Sequence, residues 1–145
     1  MAGLLNVGEM GAQALHIMVE LAVLQEENPE ARYTVQELAT KLHASVHTLQ
    51  KVARRLIQLE LIEGTRGANG GLRLAIDPKT TNMLQIIEGL EGRLCSNNCM
   101  FAKRVCPADG KCVFEGMTGK MEKMVREYFT TTTLADLCAT AMETA

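Results

Sequence analysis

From Glu9 to Gln25 the apolar residues Ala14, Leu15, Met18, Leu21, Ala22 and Leu24 recur at the spacing that lays one stripe along a helix. This predicts an amphipathic first helix, ended near Pro29 in the segment EENPEARY. His16 lies within it and reads as a surface residue rather than a ligand. Thr34 then precedes VQELATKL, with Glu37 three positions on, the reciprocal arrangement that caps a short second helix. His43 and Ala44 make a turn, and Ser45 can cap a third helix whose apolar stripe is Val46, Leu49, Val52, Leu56 and Leu59. Two short helices joined by a tight turn form a helix-turn-helix, in which the first turns of the second helix face the major groove.

The period then changes. In LIEGTRGANGGLRLAI a short strand and a glycine-rich turn lead to Leu72, Leu74 and Ile76 alternating with Arg73 and Ala75, the period of a half-buried strand. A hairpin directly after a helix-turn-helix is a wing. After Asp77-Pro78, Thr80 or Thr81 caps a short connecting helix with Met83, Leu84, Ile87 and Leu90 on one face. Further on, Phe114, Met117, Met121, Met124 and Tyr128 form a narrow seam on a long helix that suits pairing with a second copy. Gly116 and Gly119 each cost that helix about 1 kcal/mol in propensity, so it depends on a partner. Thr133 with Asp136 caps a last helix, LADLCATAM.

The predicted fold is mainly α with a small β-hairpin wing: a winged helix-turn-helix domain over residues 1–79, a connecting helix over 80–94, a cysteine loop over 95–112, and a dimerisation helix with a C-terminal helix over 113–145. Aromatics are only 3% of the 145 residues and Trp is absent, so aliphatic side chains and nine Met must fill the core. No apolar run reaches the roughly 18 residues needed to cross a bilayer. MAGLLNVGEMGAQ lacks the basic and apolar regions of a signal peptide, so a soluble cytoplasmic protein with no membrane partner is expected. An enzyme is not expected, because no nucleophile-base pair, phosphate loop or acidic pair occurs and His16, His43 and His47 are scattered.

Charge is unevenly placed. Between Lys41 and Ala75 six basic residues face two acidic ones, a local +4 that leaves −6 on the remainder of a chain whose net charge is −2. The segment with the excess is the one predicted to meet a polyanion. Outward positions on the third helix are His47, Thr48, Gln50, Lys51, Arg54 and Arg55. Gln50 can bond adenine in pairs and His47 can read an acceptor on a base edge, whereas Lys51, Arg54 and Arg55 suit phosphates. At the wing tip Arg66 lies among Gly67, Gly70 and Gly71, with Asn69 beside it, where a guanidinium can enter a narrow minor groove.

Four of the five cysteines fall in CSNNCMFAKRVCPADGKC, with three residues between Cys95 and Cys99, six between Cys99 and Cys106, and five between Cys106 and Cys112. None of these is the short knuckle of structural zinc. A loop holding Pro107, Asp109 and Gly110 can curl so that thiolates converge on an iron-sulfur cluster, while a thiol switch and zinc stay open as alternatives. Cys138, in an apolar run, reads as a small buried hydrophobe.

In this order RGANGGLRLA (66–75), the triplet Cys99, Cys106 and Cys112, and TLADL (133–137) resemble the bacterial winged-helix regulators of the IscR and NsrR type, over about Gly11 to Leu137. The resemblance implies a homodimeric repressor or activator whose iron-sulfur cluster, 2Fe-2S or 4Fe-4S, senses nitric oxide, redox state or iron-sulfur supply and alters the fit to a pseudo-palindromic DNA operator. It places the cluster ligands on Cys99, Cys106 and Cys112, base reading on Ser45, His47 and Gln50, and the minor-groove arginine on Arg66. Three departures stand out. Cys95 is an additional thiol, a candidate for the fourth ligand or a resolving partner. The family's non-cysteine ligand near the start of the partner's first helix aligns with Ala12, which cannot ligate, so the partner subunit's Glu9 is the substitute. The usual wing proline is Ala68. The competing expectation is a cluster-free thiol or zinc regulator of DNA.

Overall fold

The computed structural model describes residues 7–94 and 115–144. Helix α1 (Glu9–Glu27) follows the apolar stripe and turns Ala14, Ile17, Met18, Leu21 and Ala22 fully inward. It runs to Glu27 and ends at Asn28, immediately before Pro29. Gly8 at its start has no side chain to cap it. The Glu91 carboxylate accepts from the Gly8 and Gly11 backbone N–H groups instead, both at 2.7 Å. A Cβ on Gly8 would lie 2.6 Å from that carboxylate and one on Gly11 2.9 Å, so a side chain at either position would make the Glu91 carboxylate shift from this place.

Helix α2 (Val35–Lys41) carries the predicted capping box: Glu37 N–H donates to Thr34 Oγ1 at 3.2 Å, and Thr34 N–H to the Glu37 carboxylate at 2.7 Å. The Thr34 N–H, and then the Thr34 hydroxyl donating to the same carboxylate at 2.8 Å, hold Glu37 below the ordinary carboxylate range. His43 adopts a left-handed φ of 49° and reverses the chain into α3 (Val46–Gln58). Ser45 occupies the cap position of α3, but its hydroxyl makes no capping bond. The hydroxyl is therefore left to face outward, and α3 is anchored by Leu49, Val52, Ala53 and Leu56 on its buried stripe.

Strands β1 (Ile62–Thr65) and β2 (Gly71–Leu74) pair antiparallel, with Ile62 opposite Leu74 and Thr65 opposite Gly71. Leu72 and Leu74 point into the core as the alternation predicts. Tyr33 adds a bridge to Leu72 on the other edge of β2, with N···O distances of 2.7 and 3.1 Å. A Cβ on Gly70 would fall 2.3 Å from the Thr65 carbonyl oxygen, so this tight turn accepts only glycine there.

Helix α4 (Met83–Glu91) corrects one expectation: its cap is Asn82, in a reciprocal box with Gln85, rather than Thr80 or Thr81. Thr81 is buried and committed elsewhere, its carbonyl accepting from Leu134 N–H at 2.8 Å. Helix α5 (Glu115–Thr131) is followed by α6 (Leu134–Thr144), which starts at the predicted Thr133–Asp136 pair.

Helix α6 folds back on α1, so Leu134 and Cys138 join the core built by α1, α3 and the wing. The core is wholly aliphatic apart from the sulfur atoms of Met18 and Cys138. Leu56 lies fully buried within it on the helix that carries the recognition surface. Leu56→Ala is predicted to cost about 2–5 kcal/mol, read as a lower urea midpoint with unchanged slope.

Candidate nucleic-acid interface

Burial of the apolar stripe of α3 fixes what its other face presents. Ser45, His47, Gln50, Lys51, Arg54 and Arg55 are exposed, and Thr48 is half-buried. At the wing tip Arg66 and Asn69 are both exposed, and Gly67 there has a φ of 108°. The wing follows α3 directly in the chain, and Ala75 N–H donates to the Leu61 carbonyl at 3.0 Å, closing the base of the hairpin beside the end of that helix.

The charges in this segment divide into two groups. Arg73 is held between Glu63, through a very short contact, and Glu30 at 3.3 Å, while Arg32 reaches Glu63 at 3.5 Å. The arginine contacts hold the Glu63 carboxyl below its ordinary range, Arg73 above all. Lys41 pairs with Glu20 at 3.1 Å and lies over the Tyr33 ring at 5.4 Å. By contrast, Lys51, Arg54 and Arg66 have no hydrogen bond or ion pair among the described residues. Arg55 is intermediate: it donates to Gln58 at 3.4 Å and to the Gly89 carbonyl of α4 at 3.5 Å. The positive excess legible in the sequence thus narrows to α3 and the wing tip, where a phosphate backbone could replace water around unpaired cations.

A profile of the Rrf2 family, described as an iron-dependent transcriptional regulator, matches residues 8–140. The chain belongs to the Rrf2 family. The HTH-type transcriptional regulator NsrR of Bacillus subtilis is 30% identical over 68% of this chain and 66% of its own length. Two curated relatives are matched over only 44% and 66% of their lengths. In three dimensions the chain is similar to CymR, titled the global cysteine regulator of B. subtilis, with a TM-score of 0.72, 27% identity, and coverage of 91% of this chain and 95% of that one. It is also similar to T. potens IscR, with a TM-score of 0.68, 25% identity, and coverage of 96% and 88%. Fold and family therefore agree on the winged-helix architecture of the Rrf2 family, whose named members here are transcriptional regulators.

Other expected site residues are distributed as follows. Cys95, Cys99, Cys106, Cys112 and Phe114 lie outside the described residues. Among the described residues no three His, Cys, Asp or Glu side chains converge as a metal site. Cys138 is buried, its thiol pushed up to about 11 by burial and by Glu26, which suits a packing role and not a ligand. Met117, Met124 and Tyr128 stand exposed on α5, with Met121 half-buried beside them. Glu9 is exposed in the first turn of α1 and accepts from Gln13 at 3.1 Å. With Gln13, His16, Lys41, His43 and Ser45 it borders a cavity of about 530 Å³ between α1 and the helix-turn-helix turn. Among the described residues no helix is long and apolar enough to cross a membrane.

Sequence reasoning missed Glu88, Glu91 and Arg126. Arg126 Nη1 donates to Glu88 Oε1 at 2.5 Å and to the Leu94 carbonyl at 2.8 Å, and Leu94 N–H donates to the same Glu88 oxygen at 2.9 Å. The arginine bond holds the Glu88 carboxyl below its ordinary range. No local pattern signals a pair 38 positions apart. The unpaired cations yield a direct prediction. Lys51→Ala should weaken binding to all duplex sequences alike and reduce the salt slope of log K by about 1, whereas Gln50→Ala should cost about 1–3 kcal/mol on the selected sequence only. Fluorescence anisotropy across a salt series on DNA selected from a random pool measures both.

Proposed function

We propose that this chain is a cytoplasmic, homodimeric transcriptional regulator that binds a pseudo-palindromic DNA operator with an affinity set by an iron-sulfur cluster in residues 95–112. The single observation that carries the DNA-binding part is that Lys51, Arg54 and Arg66, on the exposed recognition face and wing tip beside Gln50 and His47, have no ion-pair partner among the described residues. Their division of labour follows from side-chain chemistry: Lys51 and Arg54 hold phosphates, His47 and Gln50 meet base edges with Ser45 at the helix start, and Arg66 enters the minor groove.

The donor set of the sensing segment fits a thiolate-bound group. Cys99, Cys106 and Cys112 would hold it, with Cys95 or the partner subunit's Glu9 as candidates for the fourth position. When bound, an iron-sulfur cluster supplies a soft centre that nitric oxide or oxidants attack. Family membership supports the reading through its description as an iron-dependent regulator and through its NsrR and IscR members. The exposed Met117, Met124 and Tyr128 face of α5 supports the dimer, since two-fold pairing would cover it and would match two half-sites.

A second reading, a cluster-free thiol or zinc regulator, is favoured by Cys95, a fourth thiol in the same short segment, and by the likeness to CymR as well as to NsrR. The two readings separate on one preparation. Protein purified without oxygen is predicted to show broad visible absorption with stoichiometric iron and sulfide, and Cys106→Ser is predicted to lose all three. A wild-type protein that stays colourless and cannot be reconstituted with iron and sulfide would exclude the cluster in favour of the thiol reading.

A further inference from the structure

Helix α4 packs against the first helix, the recognition helix and the long helix α5. On one side Glu88 accepts from Arg126 of α5 and from the N–H of Leu94, and Arg126 also bonds the Leu94 carbonyl. Leu94 directly precedes Cys95, so these three bonds tie the last described residue before the cysteine segment to α4 and the long helix. One residue along, Gly89 meets the recognition helix: its carbonyl accepts from Arg55 at 3.5 Å, and a Cβ there would lie 3.0 Å from Leu59 Cδ1. Two residues further, Glu91 caps α1 through Gly8 and Gly11.

The first helix carries the connection on to the wing. Near its far end the Gln25 side-chain amide oxygen Oε1 accepts from Leu74 N–H of β2 at 2.8 Å, and between the two ends α1 buries Gly11, Ala14, Ile17, Met18, Leu21 and Ala22 on one face. A buried helix of 19 residues moves as a rod, because close-packed interiors shift as units instead of deforming gradually.

We infer that α4 is the coupling element of this regulator: Arg126 and Glu88 join it to the root of the cysteine segment, and Gly89 and Glu91 pass its position to the recognition helix and, through α1, to the wing. The inference rests on reading residues 95–112 as the sensing segment. Arg126 is a positioning residue in this scheme, carried by α5 and not by the recognition helix or the wing. Both of its bonds come from a single nitrogen, so a lysine ammonium can replace them.

Two measurements on the full chain test it. By NMR hydrogen exchange, Arg126→Gln is expected to speed the Gly11 and Leu59 amides at least fivefold while leaving Leu38 of α2 unchanged, and Arg126→Lys is expected to keep wild-type rates. Acceleration confined to Leu94 and α5 would overturn the coupling, whatever the segment senses. On DNA selected by the wild-type protein, the ratio of Kd values between anaerobic and oxidant-treated protein should fall to within twofold of one in Arg126→Gln and persist in Arg126→Lys. An undiminished ratio in Arg126→Gln would also overturn it. A wild-type ratio of one would instead refute the sensing reading, leaving the exchange result to decide the coupling.

Discussion

The burial of α1 along its length, with a carboxylate clamp at its start, is the constraint on which the arrangement depends. Ile17, Met18 and Leu21 have no exposed surface, and α1 packs against α3, β2, α4 and α6. Because Gly8 offers no cap, the first turn of α1 takes its acceptor from Glu91, whose negative charge also suits the positive end of the helix dipole. The clamp couples two elements 80 positions apart in sequence. It also explains why the start of α1 carries two glycines, at positions where any side chain would push the carboxylate away.

The DNA-reading surface is defined as much by neutralisation as by positive charge. Lys41 and Arg73 lie in the basic stretch, but their ion pairs with Glu20, Glu30 and Glu63 make them struts of the domain. Partly exposed pairs of this kind contribute little to stability, so their larger effect is on where unbalanced charge remains. It remains on α3 and the wing tip. A face with few unpaired cations supports only a modest non-specific affinity, which leaves room for base contacts and for a signal to decide occupancy.

Local patterns were legible and long-range ones were not. The Thr34–Glu37 and Thr133–Asp136 caps, the α3 stripe and the Leu72–Leu74 alternation are each written within a few residues, and each has its expected place in the fold. The start of α4 differs from the expectation because Thr80, Thr81 and Asn82 are all good caps by residue type, and it is Asn82 that has Gln85 three positions on to complete a reciprocal box. Ser45 has the right residue type and position but its hydroxyl makes no capping bond. Glu88, Glu91 and Arg126 had no signal at all, because a charged residue on a helix looks the same whether it faces water or a distant partner. For the cysteines, residue type and spacing speak to the chemistry, while the geometry lies outside the described residues.

The account stands or falls on whether the chemistry of residues 95–112 changes DNA affinity. The decisive measurement is the dissociation constant on a selected operator for one anaerobic preparation, before and after nitric oxide or oxidant treatment, at several salt concentrations. The account predicts a change of at least tenfold, about 1.4 kcal/mol, with a different salt slope because recognition helices and wings no longer engage the same phosphates. Equal affinity and equal slope in the two states would contradict it.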